Sequence, residues 1–250
     1  MKLYEYIEDF KVKCNESDFK DELKISSALS YFEEVASGSA SELGFGYEYL
    51  KPKGFTFMVS GICCDFIRPI KFGELLTVKT WPLPPSYATF GREYQILNKE
   101  GEVLLNGTSR WCLVDLSTGK ILSSKVIEGQ DYTTYNTNRA LDFNHWKLPK
   151  FSIGEGEFKY ALRILNSEYD HNLHVNNTRY ADYCLNCFSL EELSIMRLKR
   201  FCVSYHKQCF EGDELRLYRK RMSENSYLVQ GYKNNDELVI SCELVFLEDV

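Results

Sequence analysis

The segment FGELLTV at residues 72–78 returns later in the chain as EGDELRL at residues 211–217. In both segments a glycine and an acidic residue are followed by a run that contains leucine. A glycine at that place is typical of a turn that leads directly into a β-strand. The two segments therefore predict the same turn and strand at two places in the fold.

Two further pairs of segments extend this internal similarity. Downstream, NKEGEVL at residues 98–104 resembles NNDELV at residues 234–239. Upstream, LSYFEE at residues 29–34 resembles TRYADY at residues 178–183. Because the three pairs occur in the same order, we interpret the chain as one structural unit written twice.

Each copy has the pattern of one amphipathic helix followed by several antiparallel strands. The helical spacing is carried by Leu29, Phe32, Ala36 and Leu43 in the first copy and by Tyr180, Cys184, Cys187 and Phe188 in the second. Alternation typical of strands is clearest at Leu215 and Leu217 and at Ile240, Cys242, Leu244 and Phe246. We predict an α+β fold in which each helix packs on a sheet. The predicted domains are residues 1–135 and 150–250, joined by a linker at 136–149.

The composition excludes several classes of protein. The 250 residues include 44% hydrophobic residues, which argues against disorder. The net charge of −6 argues against a general nucleic-acid-binding protein, which needs a basic surface. We expect no membrane-spanning segment, no nucleotide cofactor and no signal peptide. With an odd number of cysteines, nine, we expect reduced thiols and a cytoplasmic protein.

The sequence DHNLHVNNTRY at residues 170–180 carries the chemistry. In an extended segment Asp170, Asn172 and His174 point to the same side, because side chains alternate along a strand. Asn176 or Asn177 then caps a helix that begins near residue 178. The unpaired N–H groups at the start of that helix can stabilise an oxyanion. A carboxylate, an amide, an imidazole and an oxyanion site together favour acyl transfer or hydrolysis.

The motif Asp-x-Asn-x-His-Val-Asn-Asn-x-x-Tyr resembles the signature of the acyl-ACP thioesterases, and its core is shared with hot-dog thioesterases of the 4-hydroxybenzoyl-CoA type. The first copy agrees over Arg68-Pro69, Gly73-Glu74, Thr80-Trp81, GREY at 91–94, GEVL at 101–104 and SRWCLVD at 109–115. The resemblance implies a tandem hot-dog fold, each half an antiparallel sheet wrapped around one long helix. It also implies a hydrolase of fatty acid biosynthesis that releases free fatty acid from acyl carrier protein, with no cofactor.

One segment departs from the family pattern. YHKQC at residues 205–209 resembles a Tyr-x-x-Glu-Cys segment of the plant members, whose Glu is a proposed acid or base, but here the residue is Gln208. An amide cannot accept a proton near neutral pH. The base is then His174 or Asp170, with Gln208 orienting water, and attack by water or by a carboxylate both stay open. Cys209 could form a Cys-His-Asn set with His174 and Asn172, but we predict that it is a packed thiol.

The remaining signals concern binding. Phe55, Phe57, Met58 and Val59 supply apolar bulk for an acyl-chain pocket in the first domain. Cys184 and Cys187 have the spacing of a metal half-site, yet core packing is favoured because free cysteine behaves as a small buried hydrophobe, and we predict no metal.

Two basic clusters, one at Arg197, Lys199 and Arg200 and one at Arg216, Arg219, Lys220 and Arg221, are either a solvated face or a docking surface for an acidic acyl carrier protein. Two alternatives to the acyl-ACP thioesterase are an acyl-CoA thioesterase and a non-catalytic acyl-binding protein. A tandem repeat is compatible with a monomer or a homodimer.

Overall fold

A computed structural model describes residues 3–127, 134–170 and 173–248 of the chain. The chain divides into two compact units, Met1–Phe143 and Asn144–Val250. Within the described residues each unit contains five antiparallel strands and two α-helices. The α+β class predicted from the sequence is confirmed.

The first unit is built on a five-stranded antiparallel sheet. Its strands are β1 (Tyr6–Lys11), β2 (Phe55–Phe66), β3 (Leu75–Pro82), β4 (Phe90–Asn98) and β5 (Val103–Asp115). They lie in the order β1-β3-β4-β5-β2. The helices are α1 (Ile25–Glu42) and the short α2 (Tyr47–Leu50).

Helix α1 packs closely on this sheet. Phe32 of α1 is buried, and its ring stacks on that of Tyr94 of β4 with 4.2 Å between centroids. Below it lies Gly107 of β5, where an added Cβ would come within 2.5 Å of the Phe32 ring. The missing side chain therefore lets the helix approach the sheet, and full burial of such a ring contributes roughly 1.5–3 kcal/mol.

The second unit repeats the arrangement strand for strand. Its strands are β6 (Glu157–Arg163), β7 (Met196–Tyr205), β8 (Glu214–Arg221), β9 (Ser226–Lys233) and β10 (Glu237–Glu248). Their order, β6-β8-β9-β10-β7, matches that of the first unit. The helices are α3 (Arg179–Leu185) and α4 (Leu190–Ser194). The seven residues of α3 make it much shorter than the 18-residue α1.

The duplicated turn predicted at Gly73 and Gly212 is present in both units. Gly73 and Gly212 both have left-handed backbone angles, with φ of 81° and 88°, just before β3 and β8. Such angles are strained for residues that carry a Cβ. The same backbone requirement explains why glycine occurs at both places, and the predicted duplication is confirmed by the shared strand order.

Residues 138–140, in the stretch of chain between β5 and β6, are hydrogen-bonded to strands of the first unit. Trp81 donates from its indole Nε1 to the carbonyl oxygen of Asn138 at 2.9 Å. The fully buried carboxylate of Glu93 accepts from Arg139 at 3.0 Å and from the main-chain N–H of Ala140 at 2.9 Å. The boundary between the two units, after Phe143, lies inside the segment 136–149 that the sequence predicts as a linker.

All nine cysteines lie within the described residues. Seven are free: Cys14, Cys64, Cys112, Cys184, Cys187, Cys209 and Cys242. Cys63 and Cys202 are not free thiols, so the expectation of reduced thiols is wrong for these two. Among the helices that the structure describes, none has the length and hydropathy needed to cross a bilayer.

Candidate active site

The predicted catalytic motif begins in a tight turn of the second unit. Tyr169 and Val175 form an antiparallel bridge. Inside it the Asp170 N–H donates to the His174 carbonyl at 2.8 Å, and the Leu173 N–H donates to the Asp170 carbonyl at 3.1 Å. The Asp170 carboxylate also accepts from the His174 main-chain N–H at 3.4 Å. These bonds hold Asp170 and His174 directly opposite each other.

The expectation of an extended segment is therefore wrong. Leu173 has a φ of 62°, in the left-handed region that reverses the chain, and its side chain is 74% exposed. A β-hairpin-like reversal, and not strand alternation, brings Asp170 and His174 together. Asn172, the third predicted member, lies outside the described residues.

Asn176 closes the turn that leads into α3, but the N-cap of this helix is Thr178, so the prediction that Asn176 or Asn177 caps it is wrong. Its side-chain oxygen accepts from the Thr178 N–H at 2.8 Å and from the Thr178 hydroxyl at 2.6 Å. Its main-chain carbonyl accepts from the N–H of Arg179, the first residue of α3, at 3.0 Å. The asparagine thus satisfies a donor at the helix start that would otherwise be unpaired.

The main-chain N–H groups of Asn176 and Asn177 differ in availability. That of Asn176 already donates to the Glu168 carbonyl at 2.8 Å, so it is not open to an oxyanion. The main-chain N–H of Asn177 makes no hydrogen bond to the residues that the structure describes. The Asn177 carbonyl, which belongs to the next peptide group, accepts from the Tyr205 hydroxyl at 3.1 Å.

Gln208 and Cys209 lie in the loop after β7, which ends at Tyr205, and not in a strand. Gln208 is partly exposed, whereas Cys209 is fully buried. Burial raises the pKa of the Cys209 thiol, and a hydrogen bond with Tyr180 offsets only part of that effect. A protonated, enclosed thiol is a poor nucleophile, and the interpretation of Cys209 as a packed thiol is confirmed.

An ion pair that was not predicted from the sequence lies beside this loop. Lys233, at the end of β9, is 6% exposed. Its ammonium donates to the main-chain carbonyl of Gln208 and to the Asp213 carboxylate, the latter at 3.0 Å. A lysine in a strand pattern is normally read as a solvent-facing residue, so only the fold reveals this pair.

An aromatic side chain links the loop to the motif. The Phe210 ring lies edge-on to the His174 imidazole, with 6.4 Å between centroids. The Lys233 ammonium lies over the same ring, 5.2 Å from its centroid. Phe210 is still 49% exposed, so an apolar surface is open next to the imidazole.

The apolar residues predicted for an acyl pocket lie on β2 of the first unit. Phe55 and Phe57 pack against a cluster whose buried members are Phe45, Leu50, Leu113 and Ile127. Phe57 contacts Phe45 and Phe90 edge-on, at 6.1 and 5.0 Å between centroids. Met58 and Val59 are not among the members of this cluster. The structure thus brings Phe55 and Phe57 into one apolar cluster.

Metal binding has no support in the geometry. Across residues 3–127, 134–170 and 173–248, no group of three or more His, Cys, Asp or Glu side chains could hold a metal ion. Cys184 and Cys187 are fully buried, and the Cys187 thiol donates to the Tyr183 carbonyl at 3.7 Å. Their predicted role in core packing is confirmed.

The second basic cluster is compensated by acids of its own unit. Arg216 pairs with Asp236 at 2.7 Å, and Lys220 pairs with Glu155 at 2.8 Å. Arg219 contacts both Glu157 and Glu192. These pairs reduce the net positive charge that a docking partner would meet.

Comparison with known protein families gives two matches, in order along the chain. Residues 4–128 match the acyl-ACP thioesterase N-terminal domain, and residues 155–242 match the acyl-ACP thioesterase C-terminal domain. The boundary between the matches agrees with the two structural units.

Similar curated proteins come from plants. A chloroplastic palmitoyl-acyl carrier protein thioesterase of Gossypium hirsutum is 24% identical over 217 residues, which are 82% of this chain and 52% of the relative. A chloroplastic acyl-[acyl-carrier-protein] hydrolase of Cuphea viscosissima is 22% identical, over 81% of this chain and 51% of the relative. The chain spans about half the length of these relatives.

Similar solved structures share the whole fold. An acyl-ACP thioesterase from Bacteroides thetaiotaomicron superposes with a TM-score of 0.87 at 23% identity, covering 97% of this chain and 98% of that one. A 12:0-ACP thioesterase from Umbellularia californica gives 0.87 at 17% identity and covers both chains completely. The predicted tandem hot-dog fold is confirmed.

Proposed function

Because the chain belongs to the acyl-ACP thioesterase family, we propose that it hydrolyses the thioester of a fatty acyl-acyl carrier protein and releases the free fatty acid. The observation that carries the proposal is the match of both family domains, in order, on one chain. The turn that sets Asp170 against His174 supports it, since a positioned imidazole is the most frequent general base.

In this mechanism water attacks the carbonyl carbon of the acyl-phosphopantetheine thioester. His174 accepts a proton from the water, and the carbonyl oxygen becomes negative. The main-chain N–H of Asn177 donates to that oxyanion. The C–S bond then breaks, and the leaving thiolate takes the proton from His174.

Supporting roles fall to the remaining predicted residues. Asp170 fixes the turn that carries His174, and Asn172 and Gln208 orient the water through their amides. Gln208 moves no proton, because an amide is neither acid nor base near neutral pH. The acyl chain binds in the first unit against Phe55 and Phe57, within the apolar cluster already described.

The acyl carrier protein is the proposed partner, and its acidic surface would meet basic residues of the chain. The two basic clusters, at residues 197, 199 and 200 and at residues 216, 219, 220 and 221, are the candidates for this contact. Added salt should then slow hydrolysis of acyl-ACP more than that of acyl-CoA. A cytoplasmic location and a monomeric or homodimeric state complete the proposal.

The test is conversion of acyl-ACP to free-thiol ACP, read by mass over a panel of chain lengths, with the matching acyl-CoA esters alongside. We expect turnover of acyl-ACP that is lost in Asn172→Ala and in His174→Ala. Turnover of CoA esters alone would assign an acyl-CoA thioesterase. Acyl binding without any turnover would assign a non-catalytic binding protein, in line with the amide at Gln208.

A further inference from the structure

Lys233 connects two parts of the loop that lies beside the catalytic turn. Its ammonium is nearly enclosed and is hydrogen-bonded to the Gln208 carbonyl and to the Asp213 carboxylate. Removing an ammonium from water costs several kcal/mol unless partners replace the lost hydration. The strand end that holds Lys233 is part of the β8–β9 pairing, so the loop is tied to a rigid element.

Asp213 passes this constraint on to Phe210. The Asp213 carboxylate accepts from the Phe210 N–H at 2.9 Å, and the Asp213 N–H donates to the Phe210 carbonyl at 3.0 Å. Burial opposes the charge on Asp213, but the hydrogen bonds from Phe210 and Lys233 outweigh it and lower the pKa of this carboxyl. The residue therefore stays a carboxylate and holds both ends of a closed turn.

Phe210 is the residue whose position matters for chemistry. One part of its ring faces the His174 imidazole, another lies under the Lys233 ammonium, and about half of the side chain is open to solvent. An exposed aromatic ring next to a catalytic base is suited to an apolar group held beside the reacting atom.

We propose that Phe210 contacts the apolar part of the substrate next to the thioester, and that Lys233 is the positioning residue that holds Phe210 and Gln208 in place. This inference rests on the proposed thioesterase function. Lys233 itself touches no substrate; it acts through the Gln208 carbonyl, the Asp213 carboxylate and the Phe210 ring.

The first test compares the kinetics of substitutions at Lys233. Lys233→Met keeps the apolar stem and removes the ammonium, and should lower kcat by about ten- to a hundredfold, the range expected when a site is displaced by about 1 Å. Lys233→Arg should recover most of the rate. Lys207→Met is the matched control, because Lys207 is an exposed lysine that pairs with Glu237 at 3.4 Å, and it should behave as the wild type.

The second test separates positioning from an unpaired charge. Lys233→Met combined with Asp213→Asn removes both charges, so a rate that returns to the wild-type value in the double variant would overturn the positioning role.

Phe210→Ala should raise KM with a smaller change in kcat, as expected for lost substrate binding. An unchanged KM in Phe210→Ala, or wild-type kcat in Lys233→Met, would overturn the proposal.

Hydrogen exchange distinguishes this inference from the proposed function. Lys233→Met should speed exchange of the Phe210 amide, which donates to Asp213, and leave the Val229 amide in β9 unchanged. If the Phe210 amide exchanges at the same rate in Lys233→Met and in the wild type, the positioning role is refuted, even in a protein that is inactive. If the wild type neither hydrolyses nor binds acyl thioesters, the proposed function and the Phe210 contact fail together, and the exchange result alone decides the role of Lys233.

Discussion

His174→Gln is the substitution that most directly examines the proposed chemistry. The turn around His174 is held by main-chain bonds and by the Asp170 carboxylate, none of which uses the imidazole. The contact that the imidazole makes with Phe210 is a single edge-on aromatic pair. Its loss costs about 0.5–1.5 kcal/mol, which for a chain of this size lowers Tm by only a few degrees.

The effect on the rate should be far larger than the effect on stability. A positioned acid or base contributes about 10²–10⁴-fold to a rate, and glutamine cannot accept a proton. We therefore expect hydrolysis of acyl-ACP to fall by about two to four orders of magnitude. Initial rates read by the mass of the carrier protein, together with thermal unfolding of the same samples, measure both quantities.

The matched control is His206→Gln. His206 is another histidine of the second unit, hydrogen-bonded to the Ser241 hydroxyl at 3.2 Å. Burial and the nearby charge of Lys150 lower the pKa of His206, and it has no place in the proposed mechanism, so its variant should keep the wild-type rate. If His174→Gln retains the wild-type rate with normal unfolding, His174 moves no proton and the mechanism is refuted.

Three further predictions concern Cys209, Glu93 and Asp213. Cys209→Ala should keep its activity, measured as kcat on acyl-ACP, because burial keeps the thiol protonated. Glu93→Ala should destabilise the chain by about 3 kcal/mol or more, measured by denaturant unfolding, because Thr108 and two main-chain N–H groups lose a buried acceptor at about 1–3 kcal/mol each. The pKa of Asp213 in the folded state is lower than its unfolded value of about 3.9. The carboxylate therefore adds stability above that pH, and this stability is lost as the pH falls through the folded-state pKa. Asp213→Asn should therefore flatten the fall in unfolding free energy below about pH 4.

Each of these has a result that would contradict it. An inactive Cys209→Ala with a normal unfolding curve would reinstate a thiol nucleophile. A Glu93→Ala variant as stable as the wild type would mean that water replaces the carboxylate. If the unfolding free energy of Asp213→Asn falls at low pH as steeply as that of the wild type, the Lys233–Asp213 pair does not contribute to stability.

Local patterns in the sequence were sufficient to predict the architecture. Glycine before β3 and β8, the helical spacing around Phe32 and Tyr180, and the alternation in β10 each depend on neighbouring residues. Such patterns report which elements form and which side of each is buried. Because they occur twice in the same order, the duplicated fold followed from them, as did the location of the candidate catalytic motif before helix α3.

Tertiary structure alone decided how that motif is shaped and what surrounds it. The reversal at Leu173 places a bulky side chain at a left-handed φ, which local preference disfavours and the pairing of Tyr169 with Val175 imposes. The bond from Lys233 to Gln208 joins residues that are distant in sequence. Periodicity can say that a residue faces inward, but which partner it meets depends on strand register and loop closure. For that reason the sequence could propose His174 as the base, and only the fold revealed the loop beside it.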